Sequence, residues 1–140
     1  MKYQGGKNKI ASKLAPQIQA YLHSESIYYE PFVGSAAIAS KIECKEKHLS
    51  DICEPLINMF KALQNGWIPP DSLSEEEYKI LKSIKDFKDP LTAFAGFGCS
   101  FGGTFFGSYA KGAFEREWTD NACEQTRNSL LRKMRNLKDA

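Results

Sequence analysis

From Ile27 to Ala37 the chain reads IYYEPFVGSAA, and the fold turns on how these eleven residues are taken. Ile27 to Phe32 is β-branched and aromatic and stops at a proline and a glycine, which predicts a short buried strand. Gly34 and Ser35 then form a tight turn. Ser35 is placed to cap a helix running through the small residues Ala36, Ala37 and Ala39 to about Cys44. A second, weaker strand is expected near Lys47 to Ser50, ending at Asp51. Strand, glycine turn, helix, second strand and terminal acid make the opening half of a nucleotide-binding α/β unit.

The chemistry of such a unit is direct. A glycine without a side chain lets a cofactor lie against the backbone, and a helix N-terminus offers unpaired N–H groups. A carboxylate at the tip of the next strand accepts hydrogen bonds from two ribose hydroxyls, and Asp51 lies 17 residues after Gly34, close to the roughly 20 such units use. Many strand–helix turns need glycine only for a positive φ, so the turn alone also suits a protein without a cofactor. The G-x-G-x-x-G fingerprint is absent, which argues against NAD and FAD. Glu30 stands beside the turn, where it would repel phosphate but attract an amino group. S-adenosylmethionine has an adenosine for Asp51, an ammonium for Glu30 and no phosphate.

Outward from this unit, Ile10, Leu14, Ile18 and Leu22 recur at every fourth position and predict a helix between Asn8 and Leu22, which Pro16 would kink or split. Pro55 sits in the first turn of a helix with Leu56, Ile57, Phe60 and Leu63 inward. Asn65 to Asp71 (NGWIPPD) stops it. Ser74 followed by Glu75, Glu76 and Glu77 is an N-cap with acids at the positive end of a helix that reaches about Asp86. After Pro90 comes AFAGFGCSFGGTFFGSYAKG, in which Phe94, Phe97, Phe101 and Phe105 fall at near-helical spacing and read as core. A last amphipathic helix is expected from Asp120 to about Leu137.

A chain of 140 residues suits one domain with a real core. The net charge of +2 says little, but its placement says more. Lys2, Lys7, Lys9 and Lys13 open the chain without an acid, and five bases lie between Arg127 and Lys138 with none. Basic ends mark either a polyanion-binding face or solvated helix surfaces. The four cysteines show no C-x-x-C spacing, so free, reduced thiols in the cytosol are expected and a metal site is not. Neither a leader nor a membrane-spanning run is evident.

KYQGGK (Lys2 to Lys7), EPFVGSA (Glu30 to Ala36), SDICEPLINMFKALQNGWIPP (Ser50 to Pro70) and GFGCSFGGTFFGSYA (Gly96 to Ala110) together resemble the Dam-like, D12-class DNA adenine-N6 methyltransferases, in the versions carried by phages and prophages. The resemblance implies a partial Rossmann-like S-adenosylmethionine-dependent fold, helix-rich with an incomplete sheet. Tyr3 would pack on the cofactor and Lys7 would lie near its carboxylate or the catalytic end. Glu30, Pro31, Phe32 and Gly34 would form the turn beneath the methionine moiety. Asp51 would bond the ribose, and Ile52 would touch the adenine. Ala36 departs from the motif, which usually has a further glycine there. Tyr109, Lys111 and Arg116 would face double-stranded DNA, whose adenine must leave the duplex to react at N6.

The family's D-P-P-Y motif, whose Asp and carbonyl hold the adenine amino group and whose Tyr stacks on the base, does not occur in these residues. DPLT at Asp89 lacks the second proline and the tyrosine. No catalytic residue is therefore assigned. The expected division is a cofactor part at 1–65, a linker and recognition-like region at 66–118 and a basic helix at 119–140. Three functions follow: a methyltransferase of the kind found in restriction–modification systems, inactive until a chain carrying D-P-P-Y or a second copy completes it; a non-catalytic module holding cofactor or DNA; and a plain helical remnant. The cytoplasm of a bacterial or phage-infected cell is the expected location.

Overall fold

The computed structural model describes residues 1–110 and 122–140. Its helices are α1 (Asn8–Gln19), α2 (Glu54–Gln64), α3 (Glu75–Ile84), α4 (Pro90–Ala93) and α5 (Ala122–Met134). Between α1 and α2 lie strands β1 (Ile27–Glu30) and β2 (Glu46–Leu49), which pair in parallel with Ile27 opposite Glu46 and Glu30 opposite Leu49. Among the described residues these two strands are the whole sheet. One strand face, with Ile27, Tyr29 and His48, is exposed, and the Tyr29 ring stacks on His48 at 4.6 Å.

The expected α-helix from Ser35 to Cys44 does not form. Turns carry the chain to a single 3-10 turn at Ala39–Lys41. Ala36 stands in the left-handed region at φ 54°, which no α-helix accommodates. The segment is also buried on two sides rather than one. Val33, Ala36 and Ala39 pack with Leu137, while Ala37, Ile38 and Ile42 pack with Ala11 and Ala15 of α1. A helical stripe serves one side only, so the small residues make a thin, irregular spacer instead.

α1 runs unbroken through Pro16. Pro16 has no N–H to give the Ser12 carbonyl, and Ser12 lies on the exposed side of the helix. The inward face also differs from expectation: Ala11 and Ala15 are buried with Leu14, Ile18 and Leu22 beside them, and Ile10 is 47% exposed. α2 begins with Pro55 in its first turn as expected. It buries Leu56, Met59 and Leu63 in the main core and sets Ile57 and Phe60 against the Val33–Leu137 cluster.

α3 opens with a complete capping box: Glu77 N–H donates to Ser74 Oγ at 3.1 Å, and Ser74 N–H donates to Glu77 Oε2 at 2.8 Å. Asp89 caps α4 by accepting from Leu91 N–H, which gives DPLT a structural role. α4 continues as a π-helix, Phe94–Gly98. The aromatic series breaks there: Phe94 and Phe97 are buried, Phe105 packs beside them, and Phe101 is 74% exposed. Cys99 and Cys123 are joined in a disulfide, correcting the expectation of four free thiols. The π-helix and α5 bring their Cα atoms to 5.0 Å across 24 residues of sequence, within bonding reach. Cys44 and Cys53 are free. The main core draws on Leu56, Phe94 and Leu130 alike, and so joins all three stretches of the chain.

Candidate functional site

The residues read from the sequence meet where β1 and β2 end. β1 stops at Glu30 and β2 at Leu49, and Ser50 N–H donates to the Glu30 carbonyl while Val33 N–H donates to that of Ser50. The parallel ladder thus extends into the two loops and holds them side by side. Gly34 follows in the left-handed conformation, φ 49°, with a tyrosine ring so near that a Cβ there would lie 3.3 Å from Tyr3 Cε1. The turn therefore needs glycine for both conformation and contact.

Asp51 is the knot of the site. Its Oδ2 accepts from Gly34 N–H at 2.9 Å and its Oδ1 from Cys53 N–H at 3.0 Å. One carboxylate thereby fixes the turn after β1 and starts α2 after β2. The second bond is an Asx turn, a local pattern visible in D-x-C ahead of a helix. The first joins residues 17 apart and has no local signal. Each oxygen keeps further acceptor capacity for a ligand hydroxyl.

Lys7, Glu30 and Gly34 line one small cleft together with Gly5, Gly6 and Ser35. The K-Y-Q-G-G-K segment reaches it through a turn closed by Gly6 N–H on the Tyr3 carbonyl. Burial holds the Glu30 carboxyl above its ordinary value, while a 3.0 Å bond from the Tyr28 hydroxyl and the charge of Lys7 pull the other way. Ser35 Oγ, expected to cap a helix, is buried and has no hydrogen-bond partner. A buried hydroxyl without a partner is costly, and in this cleft it is a polar group left available to a ligand.

An acid, a base and an unpartnered hydroxyl beside a glycine turn have the polarity to meet a zwitterionic amino-acid group such as the methionine end of S-adenosylmethionine. The space between them is about 10 Å³, room for roughly one water molecule. Admitting that group would require the Gly5–Lys7 turn and the Gly34–Ile38 segment to part. Phe32 at 75% and Ile52 at 98% exposure lie outside the cleft, as does exposed Pro31. They offer apolar surface next to Asp51 in sequence and fold. Tyr3 is half-buried, its ring 5.1 Å from Phe97.

The residues expected to face DNA fare differently. Tyr109 packs edge-on against Tyr78 at 5.4 Å, and its hydroxyl donates to the Leu73 carbonyl. Lys111 and Arg116 lie outside the described residues. Among the described residues no group of three or more His, Cys, Asp or Glu could hold a metal ion, and no helix is long and apolar enough to cross a membrane.

Helices and a small two-stranded parallel sheet, with two strand ends tied by one aspartate at a glycine turn, make a mixed helix-and-sheet protein consistent with a methyltransferase-like α/β fold. The model of the D12 class N6 adenine-specific DNA methyltransferases matches residues 3–92. The chain belongs to this family. No curated protein matches it significantly.

Proposed function

We propose that the chain supplies the cofactor half of a DNA adenine-N6 methyltransferase of phage or prophage type, working with S-adenosylmethionine on double-stranded DNA. The observation that carries this reading is the convergence of Lys7, Glu30 and the unpartnered Ser35 Oγ on the Gly34 turn that Asp51 ties down. Glu30 would take the ammonium of the methionine end and Lys7 its carboxylate. Asp51 would accept from the ribose, Phe32 would flank the ligand from the turn beneath its methionine moiety, and Ile52 would touch the adenine. The cofactor supplies an electrophilic methyl group; these side chains bind and orient it.

The D-P-P-Y motif does not occur in these residues, and no side chain here is assigned to the adenine amino group. The chain alone would bind and not transfer. The exposed strand face with Ile27, Tyr29 and His48 supports a completing partner, because parallel sheets are ordinarily covered on both faces. Functionally the chain divides into cofactor part (1–65), recognition-like region (66–118) and basic helix (119–140), acting in the cytoplasm of a bacterial or phage-infected cell. The alternative, a non-catalytic module, rests on the same missing motif.

Calorimetric titration with S-adenosylmethionine, run beside methyl transfer to adenine-containing duplex DNA, tests the proposal. Binding without transfer is expected, with transfer restored by a chain carrying D-P-P-Y; no binding by the parent chain would sink the cofactor reading. Asp51→Ala should weaken binding by about 1–3 kcal/mol, the scale for losing hydrogen bonds to a charged group. Unchanged affinity would remove Asp51 from the site.

Affinity should also depend on pH. Because the Glu30 pKa lies above its ordinary value of 4.5, part of the population carries a proton there that a bound ammonium would expel. Binding then strengthens as pH rises through that window and levels off once Glu30 is ionised. Glu30→Gln should abolish this dependence, and a parent profile that is flat across the window would exclude the Glu30–ammonium contact.

A further inference from the structure

The N-terminal helix α1 and the basic C-terminal helix α5, far apart in the chain, come to one place. α1 and α5 flank the 3-10 turn Ala39–Lys41, and between them is an open cleft of about 430 Å³. Lys41, Arg132 and Lys133 line it, with the polar side chains of Asn8, Ser40 and Asn136. No carboxylate lines it among the described residues. Lys133 Nζ is committed to the Ser35 carbonyl and, at 3.5 Å, to Asn8 Oδ1. Neither Lys41 nor the Arg132 guanidinium makes a hydrogen bond or ion pair among the described residues, and both are exposed.

Bases in the last turn of α5 are favoured by the negative end of the helix dipole, which accounts for Arg132 and Lys133. It does not account for Lys41, which comes from another element and brings a third like charge to the same cleft. Burial and, less, the charge of Lys41 push the Lys133 ammonium down to about 8, so these two like charges face each other across the cleft. An anion would relieve that repulsion. Arginine presents a fork that matches phosphate oxygens in pairs, and lysine supplies a compact charge beside it.

We propose that the α1–α5 cleft is a phosphate-binding site built on Lys41 and Arg132, with Lys133 as its semi-buried floor. Phosphate from a nucleic-acid backbone and free phosphate share this chemistry. Lys9 and Lys13 of α1 and Arg135 and Lys138 after α5 are exposed and add positive charge to the two segments that flank the cleft, though they do not line it; net positive charge of this kind suits a backbone. The site stands on its own charges and not on the cofactor reading.

The test is the Lys41→Gln/Arg132→Gln double variant of the full chain, with exposed side chains changed and thermal unfolding as a check on folding. Fluorescence anisotropy with a labelled duplex is measured across a salt series, and inorganic phosphate is titrated by NMR. For backbone phosphate, duplex affinity at low salt should fall about tenfold, and the slope of log K against log salt should shrink by about two, near 0.9 per phosphate contact. Loss of phosphate shifts with unchanged duplex binding would support the site and assign it to the free ion. Unchanged duplex slope together with unchanged phosphate shifts would overturn it, as would a parent chain that binds neither. S-adenosylmethionine affinity, measured on the same variant, should stay at the parent value and separates this site from the cofactor cleft.

Discussion

Phe94→Ala is expected to lower the unfolding free energy by about 3–5 kcal/mol, the range for deleting a buried aromatic ring. Phe94 is fully buried at 0% exposure and opens the π-helix. Its ring meets Trp67 edge-on at 6.3 Å, and its carbonyl accepts from Cys99 N–H. The ring sits in the cluster that also holds Leu56 and Met59 of α2 and Leu130 of α5. Truncation would open a cavity at the junction of three elements that are themselves short. Elements braced by one another cannot close in without breaking other contacts, so little relaxation offsets the loss. Chemical denaturation would read the effect. Phe101→Ala, at a site 74% exposed, serves as the control and should change stability by less than about 0.5 kcal/mol. Similar losses at the two positions would mean that the core is not organised around Phe94.

Signals that act within one turn of chain were legible in the sequence. Pro55 at the start of α2 and the Ser74–Glu77 box of α3 work through their own neighbours, and both elements lie where those residues put them. The segment after Gly34 was not legible in this way. Its alanines favour a helix locally, but it is wedged between α1 on one side and Leu137 on the other, and tertiary packing overrode propensity. The same packing explains α1. An every-fourth pattern put Ile10 inward, yet the close approach uses Ala11 and Ala15, which carry too little hydrophobicity to stand out. The Cys99–Cys123 pair depends on how the π-helix meets α5, and neither spacing nor composition reports that.

At the site, the acid–turn–acid pattern drew attention to Glu30, Gly34 and Asp51 because each terminates a local element. What it missed is that Asp51 bonds the turn itself, a contact across the sheet that becomes evident only once the strands are paired. The orphaned Ser35 Oγ was hidden for a related reason: as a helix cap it would have been satisfied. The resemblance sets Tyr109 toward DNA; in the fold its ring packs on Tyr78 and its hydroxyl donates to the Leu73 carbonyl.

Gly103→Ala is expected to remove about 3 kcal/mol of stability and to weaken the cofactor site with it. Gly103 has φ 74°, and a Cβ there would lie 2.6 Å from the Lys2 carbonyl carbon and 2.7 Å from Tyr3 N. Left-handed backbone costs an alanine about 1–2 kcal/mol, and overpacking adds about 1–3 kcal/mol. The atoms in the way are backbone and cannot swing aside as a flexible side chain would. The displaced strand of chain is the first half of K-Y-Q-G-G-K, whose Tyr3 ring rests on Phe97 and against Gly34. A shift at Gly103 therefore passes through two residues into the turn proposed to receive the methionine group. Gly102 supplies the comparison. It has a similar φ of 68° but nothing within 4 Å of its Cβ position, so Gly102→Ala should show the backbone strain alone, about 1–2 kcal/mol, with S-adenosylmethionine affinity preserved. If the two variants lose equal stability, the docking of the glycine-rich tract on the N-terminal motif contributes nothing. If Gly103→Ala is the less stable of the two yet binds cofactor as the parent does, the tract braces the core and leaves the cleft to the Asp51 knot alone.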